Sequence, residues 1–179
     1  MRIIAGTARG RKLISPEGRE VRPTLDRVRE SIFNMLTGSL AEASVLDLFA
    51  GSGALGLEAL SRGAAHTVFV DKSNASVGIV NQNIKLTHFE KQSSVVLNDF
   101  LTYLKQCNEK FDIIFLDPPY AAGFLAPALD AIYHRKLLAE NGFIVCELDA
   151  SDEVICPSQF ELYRNRKYGK ARILLMKEL

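Results

Sequence analysis

Cysteine is scarce in this chain. Only Cys107, Cys146 and Cys156 occur in 179 residues. Their number is odd and none has Cys-x-x-Cys spacing, so neither a disulfide framework nor a structural zinc site is indicated. Histidine is equally sparse: His66, His88 and His134 lie far apart and lack ligand spacing, so no metal is expected. The beginning, Met1-Arg2-Ile3-Ile4-Ala5-Gly6, lacks the roughly 7–15 apolar residues of a signal peptide, and no run approaches the about 20 needed to cross a membrane. No internal repeat, low-complexity tract or long linker divides the sequence. The chain therefore reads as cytosolic, not membrane-bound, and as one domain over residues 1–179. That length suffices to bury roughly 70% of the unfolded surface, and a hydrophobic fraction of 47% is ordinary for a globular protein.

Net charge is also small, at +1, but unevenly spread. Residues 1–40 hold eight basic against four acidic side chains, and residues 161–179 hold six against two. Each end thus carries +4 and the intervening stretch −7. A polyanion is attracted to the ends and repelled by much of the middle.

What is present is a regular alternation. Residues 2–5 and 11–15 alternate weakly around Gly6 and Gly10 and predict a small β-hairpin. A helix follows from Pro23-Thr24 to Gly38, with Thr24 as cap, Asp26 near its positive end, and Leu25, Val28, Ile32, Met35 and Leu36 as its apolar stripe. Arg22, Arg27 and Arg29 stand near its start, where guanidinium groups and helix amides together suit phosphate. With Arg9, Arg11 and Lys12 they make residues 1–40 a candidate RNA-binding arm. From residue 41 on, apolar strands ending at Leu48, Asp71, Asn98, Leu116 and Leu148 alternate with helices at 54–61, 73–86, 100–106 and 124–138. This predicts an α/β fold with a mainly parallel sheet covered on both faces. Residues 160–163 and 173–176 flank Gly169-Lys170 and predict a hairpin adding an antiparallel strand.

Two motifs carry chemistry. Val45-Leu46-Asp47-Leu48-Phe49-Ala50-Gly51-Ser52-Gly53-Ala54-Leu55-Gly56 is a strand running into a glycine turn and a helix, as nucleoside-bearing cofactors require. Alone it would serve nicotinamide and flavin enzymes too. Asp47, four residues before Gly51, is a candidate partner for the amino-acid end of a cofactor. Asp71 ends the next strand about 20 residues after Gly51, where a carboxylate accepts bonds from ribose hydroxyls. Asp99 ends the third strand, and its spacing resembles S-adenosylmethionine-dependent methyltransferases, whose acid at this place meets the adenine amine. The second motif, Asp117-Pro118-Pro119-Tyr120, follows the strand Phe111–Leu116. Two prolines remove backbone donors and leave carbonyl acceptors, the carboxylate needs a partner to be buried, and Tyr120 can stack on a base, a contact worth about 1–3 kcal/mol. Such a set suits the exocyclic amine of a planar base.

Taken with Arg2-Ile3-Ile4-Ala5-Gly6, Arg9-Gly10-Arg11-Lys12-Leu13, the run from Arg22 to Asn34 and the run from Asp47 to Gly63, these motifs resemble the RsmD family of 16S ribosomal RNA guanine-N2 methyltransferases over nearly the whole chain. The resemblance implies a Rossmann-like seven-stranded methyltransferase sheet, S-adenosyl-L-methionine as cofactor, and a guanine of 16S ribosomal RNA as acceptor. The RNA is expected within a small ribosomal subunit particle, with the enzyme acting as a monomer. The implied cofactor residues are Asp47, Phe49, Gly51, Ser52, Gly53, Gly56, Asp71, Lys72, Asp99 and Phe100; the catalytic residues are Asp117, Pro118, Pro119 and Tyr120. One departure is the neutral Ala121-Ala122-Gly123, where many members carry a basic residue. The rival readings are an adenine-N6 or protein-glutamine methyltransferase and a non-catalytic RNA-assembly factor.

Overall fold

The computed structural model describes residues 1–16, 23–118, 123–154 and 156–179, with the backbone alone for residues 23–25. Arg22, Pro119, Tyr120, Ala121 and Ala122 therefore lie outside the described residues. The elements in order are α1 (Pro23–Met35), β1 (Ser44–Asp47), α2 (Ala54–Ser61), β2 (His66–Asp71), α3 (Asn74–Thr87), β3 (Ser93–Leu97), α4 (Phe100–Gln106), β4 (Phe111–Leu116), α5 (Leu125–Arg135), β5 (Leu138–Asp149), β6 (Phe160–Tyr168) and β7 (Ala171–Glu178). A single turn of 3-10 helix, Glu90–Gln92, precedes β3.

The seven strands form one sheet in the order β3-β2-β1-β4-β5-β7-β6. The first five pair in parallel, and β7 runs antiparallel to both β5 and β6. Period-two alternation divides the core into two layers. Val45, Ile113, Phe115 and Val145 face α1, α2, α3 and the amino-terminal arm; Leu46, Ile114, Ile144 and Leu174 face α4 and α5. Burial on both faces explains why β1, β2 and β4 read as nearly unbroken apolar runs.

Helix ends follow local chemistry. Ser73 caps α3 by accepting from the Ser76 amide at 3.3 Å, and Asp99 caps α4. The helix predicted over 124–138 stops at Arg135, because Lys136 turns left-handed and Leu138 pairs with Phe111 to begin β5. Consequently β5, expected to end at Leu148, begins as early as Leu138. The carboxyl-terminal hairpin is also longer, with β6 on the sheet's outer edge.

The predicted amino-terminal hairpin is reduced to one antiparallel bridge between Arg2 and Lys12, with no strand among residues 1–16. Side chains of the core hold the arm instead. The carboxylate of Glu58, fully buried in α2, accepts from the amides of Ile4 at 2.7 Å and Ala5 at 3.0 Å. Asn83 of α3, also fully buried, accepts from the Ile14 amide at 2.8 Å and donates to the Ile14 and Ser52 carbonyls, each at 2.9 Å. The arm is thereby fastened to the helix that follows the glycine turn and to the turn itself.

Candidate active site

The glycine turn after β1 is shaped by two constraints. Gly53 caps α2 with φ +78, a left-handed conformation that a Cβ would strain. Gly56 lies so close to β2 that a Cβ there would stand 2.3 Å from the Phe69 ring. Gly56 thus serves helix–sheet packing. Its amide donates at 3.0 Å to Asp47, whose carboxylate is only 2% exposed. Asp47, expected at the amino-acid end of a cofactor, is turned inward and braces the turn through this bond.

A cavity of about 310 Å³ opens at the carboxyl ends of β1, β2, β3 and β4. Six of the ten residues expected to hold the cofactor line it: Phe49, Gly51, Asp71, Lys72, Asp99 and Phe100. Asp47, Ser52, Gly53 and Gly56 do not; they form the scaffold behind. Asp71 is already engaged, accepting from the Gly51 amide at 2.9 Å and the Ser73 amide at 2.8 Å through different oxygens. Each oxygen retains a second acceptor site, so Asp71 both shapes the turn and can accept from a ligand. Asp99 caps α4 through Oδ1 alone, taking the amides of Leu101 and Thr102 at 3.0 and 3.2 Å, which leaves Oδ2 without a hydrogen bond among the described residues.

The sequence reading missed Phe124, Asn98 and Ser76, which also line the cavity. Phe124 completes an aromatic wall with Phe49 and Phe100, the three ring centroids lying 5.2 to 6.0 Å apart. It follows the Asp117 motif by only a few residues, and that adjacency was the available signal. Pro16 closes another side, so the arm contributes to the wall.

Asp117 stands immediately after β4 and lines this same cavity, with Pro118 buried beside it. The described lining carries three carboxylates, Asp71, Asp99 and Asp117, against one cation, Lys72, whose ammonium lies 5.9 Å from the Phe124 centroid. The carboxyl of Asp47 is pushed up to about 7 chiefly by burial, against the opposing Gly56 amide and with smaller upward contributions from the negative charges of Asp117 and Asp71. An acidic cavity with an aromatic wall and an approachable glycine backbone fits a cationic nucleoside ligand such as S-adenosylmethionine.

The basic arm divides. Arg9, Arg11, Lys12 and Arg27 are exposed. Arg29 is not: it is 5% exposed, donates to the Arg2 carbonyl, and pairs with Asp26 at 3.0 Å. Arg29, expected to meet phosphate, stands here as an internal strut between α1 and the arm. Helical periodicity had already put Val28 and Ile32 inward, and Arg29 follows them onto the buried side.

The order of strands, with a reversed β7, and a ligand cavity at the carboxyl ends place the protein in the class of Rossmann-like methyltransferase folds. The solved structure of the M. jannaschii tRNA m1G37 methyltransferase has a TM-score of 0.66 over 89% of this chain and 51% of its own, at 21% identity, which speaks for the fold alone. The chain belongs to the family described as Conserved hypothetical protein 95, whose profile matches residues 1–177 and whose members include ribosomal RNA small subunit methyltransferase D. The Escherichia coli K12 protein of that name is 36% identical over 171 residues, covering 95% of this chain and 86% of its own. Its Haemophilus influenzae counterpart is 35% identical, covering 94% and 89%. The solved structure of the Escherichia coli protein yhhF has a TM-score of 0.88 and 36% identity, covering 99% of this chain and 97% of that one.

Proposed function

We propose that this protein methylates the exocyclic N2 amine of a guanine in small-subunit ribosomal RNA, with S-adenosylmethionine as donor. The coarser statement, an S-adenosylmethionine-dependent ribosomal RNA methyltransferase, follows from family membership. The observation that carries the finer one is the placement of Asp117 in the cofactor-sized cavity, at the end of β4 and beside the buried Pro118.

S-adenosylmethionine supplies a methyl group activated by its positive sulfur. The residues of this chain then have three tasks: to bind, to orient and to exclude water. Asp71 and Asp99 hold the nucleoside end against Phe49, Phe100 and Phe124. Asp117 and the Pro118 carbonyl would accept hydrogen bonds from the two N–H groups of the amine, aim its lone pair and stabilise the positive charge growing on nitrogen as the nitrogen–methyl bond forms and the methyl–sulfur bond breaks, leaving a neutral thioether. One of those protons would then pass to solvent water and restore the neutral amine. Tyr120, assigned by its sequence position, stacks on a base turned out of the RNA. Arg9, Arg11, Lys12, Arg22 and Arg27 grip phosphates. Because so small a domain has little surface for reading sequence, shape recognition of a folded small-subunit particle by a monomeric enzyme accounts best for selectivity.

The test is methyl transfer from labelled donor to small-subunit particles and to naked RNA, with the modified nucleoside identified. Particles are expected to be the better substrate. Methylation of a protein glutamine instead would replace this reading by its rival.

A further inference from the structure

β6 forms the edge of the sheet farthest from β3, and residues 163–167 along it are all exposed. Arg164, Arg166 and Lys167 lie within that stretch, and none makes an ion pair among the described residues. The guanidinium groups of Arg164 and Arg166 donate only to backbone carbonyls, of Tyr163 at 2.9 Å and Asn165 at 3.2 Å. Arg164 also stacks 4.1 Å from the Tyr163 centroid, and the Lys177 ammonium lies 4.8 Å from the same ring.

Register fixes which way this edge faces. Arg164 pairs with Leu175 and Arg166 with Ile173, and directly paired residues share a face. Leu175 and Ile173 belong to the layer packed under α1 and the amino-terminal arm. The two arginines are therefore on the arm's face of the sheet, about 6.6 Å apart along the strand at a rise of about 3.3 Å per residue. In strand order β4, which leads into Asp117, lies between them and β1 and β2, whose following helices fasten the arm.

We propose that the exposed edge of β6, through Arg164 and Arg166, is a second contact for the phosphate backbone of the RNA substrate, on the opposite side of Asp117 from the amino-terminal arm. The proposal rests on the RNA-methyltransferase reading above. Charge complementarity selects the partner: exposed cations without an ion pair among the described residues, repeated on the same face by the exposed Arg9, Arg11 and Arg27, match a polyanion long enough to reach both. The competing explanation is that edge cations merely prevent sheets from pairing edge to edge.

Two double variants separate these accounts. Arg164→Gln with Arg166→Gln removes two cations, whereas Arg164→Glu with Arg166→Glu keeps the edge charged and reverses its sign. Binding of small-subunit RNA is measured over a salt series, beside calorimetric binding of S-adenosylmethionine and thermal melting. The proposal expects both variants to match wild type in melting and cofactor affinity. The Gln pair should lose about 1.5 units of salt slope, at about 0.7–0.9 per lost phosphate contact, and the Glu pair should bind RNA more weakly still. An unchanged slope in both variants, or a loss of binding to anionic phosphatidylserine vesicles without a loss to RNA, overturns it. If wild type binds RNA and methylates it while both variants bind as well, only the β6 contact fails. If wild type binds S-adenosylmethionine but neither binds nor methylates RNA, the functional reading fails and the contact with it.

Discussion

Asp47 and Gly56 are nine residues apart in sequence and joined by a 3.0 Å hydrogen bond from the Gly56 amide to the Asp47 carboxylate inside the protein. This bond closes the loop between β1 and α2 and sets the position of Gly51 at the cavity rim. It also places a titrating group where ionisation is costly.

Because burial raises the Asp47 carboxyl to about 7 in the folded protein, against about 3.9 in the unfolded chain, the folded state binds the extra proton between those values. Its contribution to stability is complete below about pH 4 and disappears as pH rises through 7. Asp47→Asn keeps an acceptor for Gly56 and removes the titration. Melting temperature measured from pH 4 to 8 should therefore decline less steeply in the variant than in wild type; parallel profiles would show that Asp47 ionises normally.

Asp71 uses both oxygens on backbone amides of the cavity wall. Asp71→Ala should weaken S-adenosylmethionine binding by about 1.5–3 kcal/mol, the scale of hydrogen bonds to a charged group. Asp71→Asn retains one acceptor and should lose less. Titration calorimetry distinguishes the two, and equal affinities across the three proteins would remove Asp71 from the cofactor site.

Glu58 accepts from two arm amides and from Arg62 at 2.8 Å while fully buried. Glu58→Ala should cost about 3–5 kcal/mol in urea unfolding, as breaking a buried charged pair does. Glu58→Gln, which keeps an acceptor, should cost less. A cost below about 1 kcal/mol for the alanine variant would mean that the arm is not anchored there.

Arg27 and Arg29 are neighbours with opposite surroundings, one exposed and the other 5% exposed. Arg27→Ala should leave unfolding free energy within about 0.5 kcal/mol and lower the RNA salt slope by about 0.7–0.9. Arg29→Ala should instead destabilise by about 1.5–3 kcal/mol. The reverse pattern would return Arg29 to the RNA surface.

The sheet was legible because β1, β2 and β4 are buried on both faces and leave continuous apolar runs. The long β5 was not, since Glu140, Asn141 and Gly142 interrupt its pattern at a bulge, between the pairing of Leu138 with Phe111 and that of Phe143 with Ile113. Of the cavity lining, Phe49, Gly51, Asp71, Asp99 and Asp117 were readable as residues at or just beyond strand ends. The inward turn of Asp47 was not, because spacing places a side chain on a strand without revealing which partner it takes. Glu58 and Asn83 escaped for a related reason: single polar residues in amphipathic helices look solvent-exposed until the distant backbone they satisfy is known. The burial of Arg29 escaped similarly, its guanidinium being drawn inward by the Arg2 carbonyl and Asp26.

The central claim is amine methylation governed by Asp117. The most direct measurement is single-turnover methyl transfer to small-subunit particles, with digestion and mass spectrometry of the RNA nucleosides, for wild type and Asp117→Ala. The account predicts N2-methylguanosine in the wild-type reaction and a rate about two to three powers of ten lower in the variant, with cofactor affinity nearly intact. N6-methyladenosine as the product, or equal rates for the two proteins, would contradict it.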